Sequence, residues 1–214
     1  MKNKKYLYLS FSMFVLFVIW TALLCFVDRK AIGPRESVVG FSTLNGFVHK
    51  LIGTNMWLYN ATDWLGLVPI AVCFAFAIYG AVQLIKRKSL YKVDYSIKAL
   101  GLFYVAVAIA YVLFEYVVIN HRPVLINGIL EASYPSSTTL LVLCVMPTAA
   151  LQLCSRIKGK KLCLCVRIIL ISFTAFMVIG RLVAGVHWIT DIIGGVLLST
   201  GFVAMYQFFI KSKI

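Results

Sequence analysis

Acidic residues are scarce in this 214-residue chain, where 7 Asp and Glu stand against 21 Lys and Arg. Charge of either sign is scarce too, at 13% of residues, against about a quarter in soluble domains. With 62% hydrophobic residues and a mean hydropathy of +0.94, this excludes a soluble globular domain and a disordered chain. Histidine occurs three times, and no Cys/His group has zinc-like spacing, so no metal site is expected. The six cysteines suggest no disulfide framework. Repeats and low-complexity segments are absent. No cofactor motif is visible.

What the chain has instead is long apolar runs. Six are long enough to span a membrane: 6–27, 64–85, 99–119, 137–154, 162–180 and 188–210. Each is close to the roughly 20 residues that cross about 30 Å of hydrocarbon as a helix. Backbone groups in lipid need internal partners, which leaves helices or closed barrels. Continuous apolar runs without alternation choose helices. The expected fold is therefore all-α, a polytopic six-helix bundle formed by residues 1–214 as one domain. The first run is longer than a signal-peptide core and lacks a small-residue cleavage site, so it reads as a retained helix.

The net charge of +14 would suggest nucleic acid in a soluble protein. Here it divides between loops. Lys2, Lys4 and Lys5, then Lys86, Arg87, Lys88 and Lys92, then Arg156, Lys158, Lys160 and Lys161, and finally Lys211 and Lys213 all fall on one side. Arg29, Lys30, Arg35, Lys50, Arg122 and Arg181 fall on the other. This bias places both termini in the cytoplasm and makes nucleic acid no partner. Trp64, Tyr116 and Trp188 are expected as interfacial aromatics at the outer ends. In the long outer loop 28–63, Phe41, Leu44, Phe47, Val48, Leu51 and Ile52 fall at helical spacing. They describe either a helix lying in the headgroup region or one packed over the bundle.

The unusual residues gather at that outer end. His187 and Asp191 are four apart at a helix start and share a face. A carboxylate there can accept an imidazole N–H and leave the other nitrogen free as a nucleophile. Arg181 lies just before them and Arg122 follows the third span, each a natural fork for phosphate oxygens. Ser136, Ser137 and Thr138 follow Pro135 at the start of the fourth span, where free backbone N–H groups favour an anion. Ionisable residues at membrane depth, such as Glu115 and Asp191, usually mark a functional site.

These pieces, in this order, resemble the type 2 phosphatidic acid phosphatase (PAP2) superfamily, whose pattern is KxxxxxxRP, then PSGH, then SRxxxxxHxxxD. Arg181, His187 and Asp191 match the last piece, with Gly180 in place of its serine. Arg122-Pro123 matches the end of the first and Pro135-Ser136 the start of the second. The family lysine falls on Glu115, and the second histidine on Thr138. The resemblance implies a six-helix membrane lipid phosphatase working at the outer face without a cofactor. His187 would form a phosphohistidine, oriented by Asp191. Arg122, Arg181, Ser136, Ser137 and Thr138 would hold phosphate.

The family's proton donor is missing from its place. A diphosphate leaves as a stable anion and needs that proton less than an alkoxide does. This favours a prenyl diphosphate, such as undecaprenyl diphosphate, as the lipid substrate. His121 and Glu115 are the alternative proton donors. Two other readings stay open: an inactive relative binding a phospholipid or protein partner, and a phosphotransferase with a lipid alcohol as acceptor.

Overall fold

The computed structural model describes residues 3–212. Lys2 and Lys213, counted above in the basic side, lie outside the described residues. Among the described residues the chain runs α1 (Lys4–Phe26), β1 (Lys30–Ala31), β2 (Val38–Val39), α2 (Ser42–Ile52), α3 (Met56–Leu65), α4 (Leu67–Arg87), α5 (Tyr95–Tyr116), α6 (Ser137–Cys154), α7 (Lys160–Val183) and α8 (Ile189–Ser212). Six of its helical segments are long and apolar enough to cross a membrane, α3 and α4 counting as one. The protein is an all-α multi-pass membrane protein.

Two helices form the centre. In the apolar windows of α6 and α8, 50% and 44% of residues are buried, against 6% in that of α7. A helix facing lipid stays apolar all round, so α7 can expose Ile168, Ile169 and Ile171 without penalty. The core joins Phe17 and Leu24 of α1, Leu100, Phe103 and Val107 of α5, Leu140 and Cys144 of α6, and Leu198 and Tyr206 of α8. Gly194 and Gly195 let α8 approach α6 closely. A Cβ on Gly194 would meet the Tyr134 ring at 2.4 Å, and one on Gly195 would meet Thr139 at 3.0 Å.

The basic end is tied by polar side chains. Arg87 of α4 donates to Asp94 at 2.8 Å, and Arg156, just after α6, lies 3.7 Å from the same carboxylate. Cys154 and Cys163 form a disulfide that closes the turn between α6 and α7. The sequence reading finds no disulfide framework and misses this bond, because two cysteines nine residues apart carry no pattern of their own.

The outer connection 28–63 is more structured than its sequence suggests. A short β1–β2 hairpin leads into α2, which Asp28 caps by accepting from Thr43 N at 2.7 Å and Ser42 Oγ at 2.9 Å. Those hydrogen bonds hold the Asp28 carboxyl down to about 2. Between the two readings of α2, its burial decides. Its polar Ser42 and Asn45 are buried, and Asn45 donates to Thr190 Oγ1 at 2.9 Å. Leu44, Phe47 and Leu51 face outward. A helix docked by its polar side and exposing its apolar side suits the headgroup region. Trp188 corrects an expectation. Trp64 and Tyr116 are exposed near helix ends, but Trp188 is buried, with Nε1 donating to the His121 carbonyl at 2.7 Å.

The turn from α7 into α8 depends on Gly185, which has φ +66°. A Cβ there would stand 1.8 Å from the Gly53 carbonyl oxygen. Gly185→Ala should lower stability by about 1–3 kcal/mol from backbone strain alone, with the clash added. The unfolding midpoint in detergent checks this; an unchanged midpoint would refute the assignment.

Candidate active site

Three segments deliver the site, and each is placed by the start of α8. The Asp191 carboxylate accepts the Trp188 backbone N–H at 2.9 Å, satisfying a free donor in the first turn. The Asp191 backbone carbonyl accepts Ser136 N–H at 3.1 Å, which fixes the start of α6 against α8. Ser136 in turn is the N-cap of α6, its side chain accepting from Thr139 N. The segment between α5 and α6 is held by backbone bonds of Arg122 N to Glu131 O and Ser133 N to Asn120 O.

His187 is buried in this framework. Its Nδ1 lies 3.1 Å from the Ser133 carbonyl oxygen and 3.7 Å from Asp191 Oδ2. A carbonyl can only accept, so Nδ1 carries the proton and Nε2 presents a lone pair. Nε2 has no hydrogen-bond partner. The sequence expectation gives the orienting role to Asp191. In the structure the closer acceptor is the Ser133 carbonyl, and Asp191 stands second. Burial, reinforced by the charges of Arg122 and Arg181, pushes the imidazole well below its ordinary range. A neutral imidazole is the form able to attack.

The two arginines converge from different helices. Arg181, at the end of α7, is 1% exposed. It lies 3.5 Å from Asp63 of α3, 3.4 Å from Thr62 Oγ1, and over the Tyr59 ring. Arg122 is 8% exposed, with Nε 3.0 Å from Glu131 and its guanidinium 5.9 Å from the centroid of the same Tyr59 ring. Arg181 Nε and Arg122 Nη1 have no hydrogen-bond partner.

Both arginines line one cavity of about 420 Å³ with Ser137 and Thr138 of α6, Glu115 and Tyr111 of α5, and Tyr59 and Asp63 of α3. Leu67, Pro69, Ile70 and Leu141 give it an apolar side toward α4 and α6. Of the residues singled out in the sequence, Arg122, Arg181, Ser137, Thr138 and Glu115 therefore meet at the cavity. His187, Asp191 and Ser136 are not among its lining residues and sit buried close to it. His121 does not line it; its backbone bridges Ala132. Glu115 is not the ion-pair partner of either arginine among the described residues. Asp63 and Glu131 hold those places. Sequence reasoning missed both, along with Tyr59 and Ser133. No spacing links Asp63 to Arg181, and a backbone carbonyl leaves no mark in a sequence.

Two buried arginines, the start of α6 and a buried imidazole nitrogen without a partner thus lie at one end of a multi-pass membrane protein. The PAP2 superfamily model matches residues 99–213, and the chain belongs to that superfamily. The chain is also similar to the crystal structure of the first transmembrane PAP2 type phosphatidylglycerolphosphate phosphatase from Bacillus subtilis. Identity is 20% over 96% of this chain and 97% of that one, with a TM-score of 0.68, a likeness of fold. No curated protein sequence matches the chain.

His187 should remain neutral, with its proton on Nδ1, at pH 6.5, where an ordinary histidine is about half protonated. Nitrogen NMR of histidine-labelled protein in detergent reads both properties. A charged His187 at that pH would refute the arrangement.

Proposed function

We propose that the protein is a lipid phosphatase that removes a phosphoryl group from a lipid headgroup through a phosphohistidine on His187. The observation that carries this is the convergence of Arg122, Arg181 and the α6 N-terminus on one cavity beside a buried imidazole with a free Nε2. The guanidiniums and the first N–H groups of α6 would take the phosphate oxygens. Nε2 would attack phosphorus as the bond to the lipid oxygen breaks and that oxygen takes up a proton; water would then attack phosphorus and lose a proton as the P–N bond breaks, releasing phosphate and the neutral imidazole. The Ser133 carbonyl, with Asp191 behind it, would hold the imidazole in the attacking tautomer.

The preference for a diphosphate rests on the absent family histidine at Thr138. The cavity itself weighs against it. Asp63, Glu115 and Glu131 bring three carboxylates to two guanidiniums, a poor balance for a more highly charged headgroup. A phosphate monoester is therefore the better fit. Of the two alternative proton donors, Glu115 lines the cavity and His121 does not. A lipid alcohol replacing water would turn the same intermediate to phosphoryl transfer.

Purified protein should release phosphate from a panel of lipid phosphates and prenyl diphosphates, and His187→Ala should reduce this by roughly 10³-fold or more. Release no greater than that of His187→Ala on every lipid would favour the non-catalytic, binding reading.

We also propose that the site faces the extracytoplasmic side, with both termini inside. The Lys and Arg bias, spread over four segments, supports this. Disulfides persist in oxidising compartments, so the Cys154–Cys163 bond at the basic end pulls the other way; the charge bias is the broader signal. Reporter fusions should give cytoplasmic signals at residue 158 and the C-terminus, and an external signal at residue 127. The reverse pattern would invert the topology.

A further inference from the structure

The charges in the cavity do not match a simple anion. Two guanidiniums face three carboxylates. Asp63 and Glu131 are each within ion-pair distance of an arginine. Glu115 has no such partner among the described residues, although it lines the same cavity beside Ser137 and Thr138. A phosphate monoester, close to a dianion at neutral pH, would meet a cavity whose own formal charge is already negative. The guanidinium nitrogens without partners, Arg122 Nη1 and Arg181 Nε, still call for an anion, and both residues are more than nine-tenths buried. An anion and an unpaired carboxylate in one cavity are reconciled by a ligand that carries both signs.

We propose that the substrate is a zwitterionic lipid phosphate, with an ammonium close to the phosphate ester, and that Glu115 is the counter-ion of that ammonium. The inference rests on the lipid-phosphatase reading and adds the chemical class of headgroup. The phosphate takes the arginines and the α6 N-terminus, and the ammonium takes Glu115 of α5, which lines the cavity beside that N-terminus. The position that the family pattern gives to a cation is here an anion, which exchanges attraction for a second phosphate charge for attraction to an amine. Glu115 is then a specificity-determining residue, and the departing lipid oxygen takes its proton from water in the cavity.

Two lipids that share a chain and a phosphate monoester separate these ideas. Sphingosine 1-phosphate bears a free ammonium beside the phosphate, and its N-acetyl derivative, a short-chain ceramide 1-phosphate, has an uncharged amide there. Turnover and binding of both are measured for the purified full chain in mixed micelles, for wild type, Glu115→Gln and His187→Ala. The ammonium lipid should be favoured by at least roughly tenfold in kcat/KM and in Kd, the scale of one ion pair at the edge of a buried site. Glu115→Gln should bring the two lipids within about threefold by weakening only the ammonium lipid. Equal handling of both lipids by wild type overturns the proposal. So does a Glu115→Gln variant that slows both equally, which would make Glu115 the proton donor. Where neither lipid is turned over, the Kd ratio decides on its own: a tenfold binding preference lost in Glu115→Gln upholds the headgroup assignment while the phosphatase reading fails.

Discussion

The carboxylate and backbone carbonyl of Asp191 hold together the end of the bundle that carries the candidate site. The carboxylate accepts the Trp188 N–H and caps α8, and the carbonyl accepts the Ser136 N–H and sets the start of α6. One residue thus fixes two helix N-termini, one carrying His187 just before it and one offering free N–H groups to the cavity. Burying a carboxylate is costly unless its bonds are satisfied. Asn120 and Ser133 also lie against it, so the segment before α6 is drawn to the same point. The His187 tautomer follows, because that segment supplies the Ser133 carbonyl.

Much of this was legible in the sequence for a physical reason. A lipid-facing helix must be apolar all along, so length and hydropathy alone mark six spans. His187 and Asp191 share a face because a helix repeats every 3.6 residues. Arg122, Arg181, Ser137 and Thr138 stood out as polar groups at the ends of apolar runs. The residues that escaped are those whose role depends on tertiary closeness. Asp63 comes from α3, which the outer loop's sequence does not reveal as a helix, and meets an arginine more than a hundred positions away. Glu131 sits in irregular chain between α5 and α6. Trp188 looked like an interfacial aromatic because its position was right; only packing shows that the bundle end folds over it.

The ion pairs explain how a dry site can keep two arginines charged. Each guanidinium sits near a carboxylate and over or beside Tyr59. Removing a guanidinium from water costs several kcal/mol without such compensation. The partners are unequally placed. The Arg181 side chain is 1% exposed and that of Asp63 is 58% exposed. The Arg122 side chain is 10% exposed and that of Glu131 is 38% exposed.

That inequality decides which groups can yield to an incoming phosphate. The Arg181 guanidinium is enclosed between α7 and α3, and that of Arg122 is held in the segment between α5 and α6, whose backbone bonds to Glu131 fix it. The carboxylates reach water and keep their solvation by turning into it, provided that the phosphate takes over the compensation of the buried guanidiniums. A phosphate can therefore replace Asp63 and Glu131 at the arginines while the buried framework keeps its geometry. The displaced carboxylates remain in or near the cavity with Glu115, and their field repels any headgroup that is negative alone. On the proposed function, retaining the arginines in place and leaving the acids beside them would turn an anion site into one that reads the charge next to the phosphate.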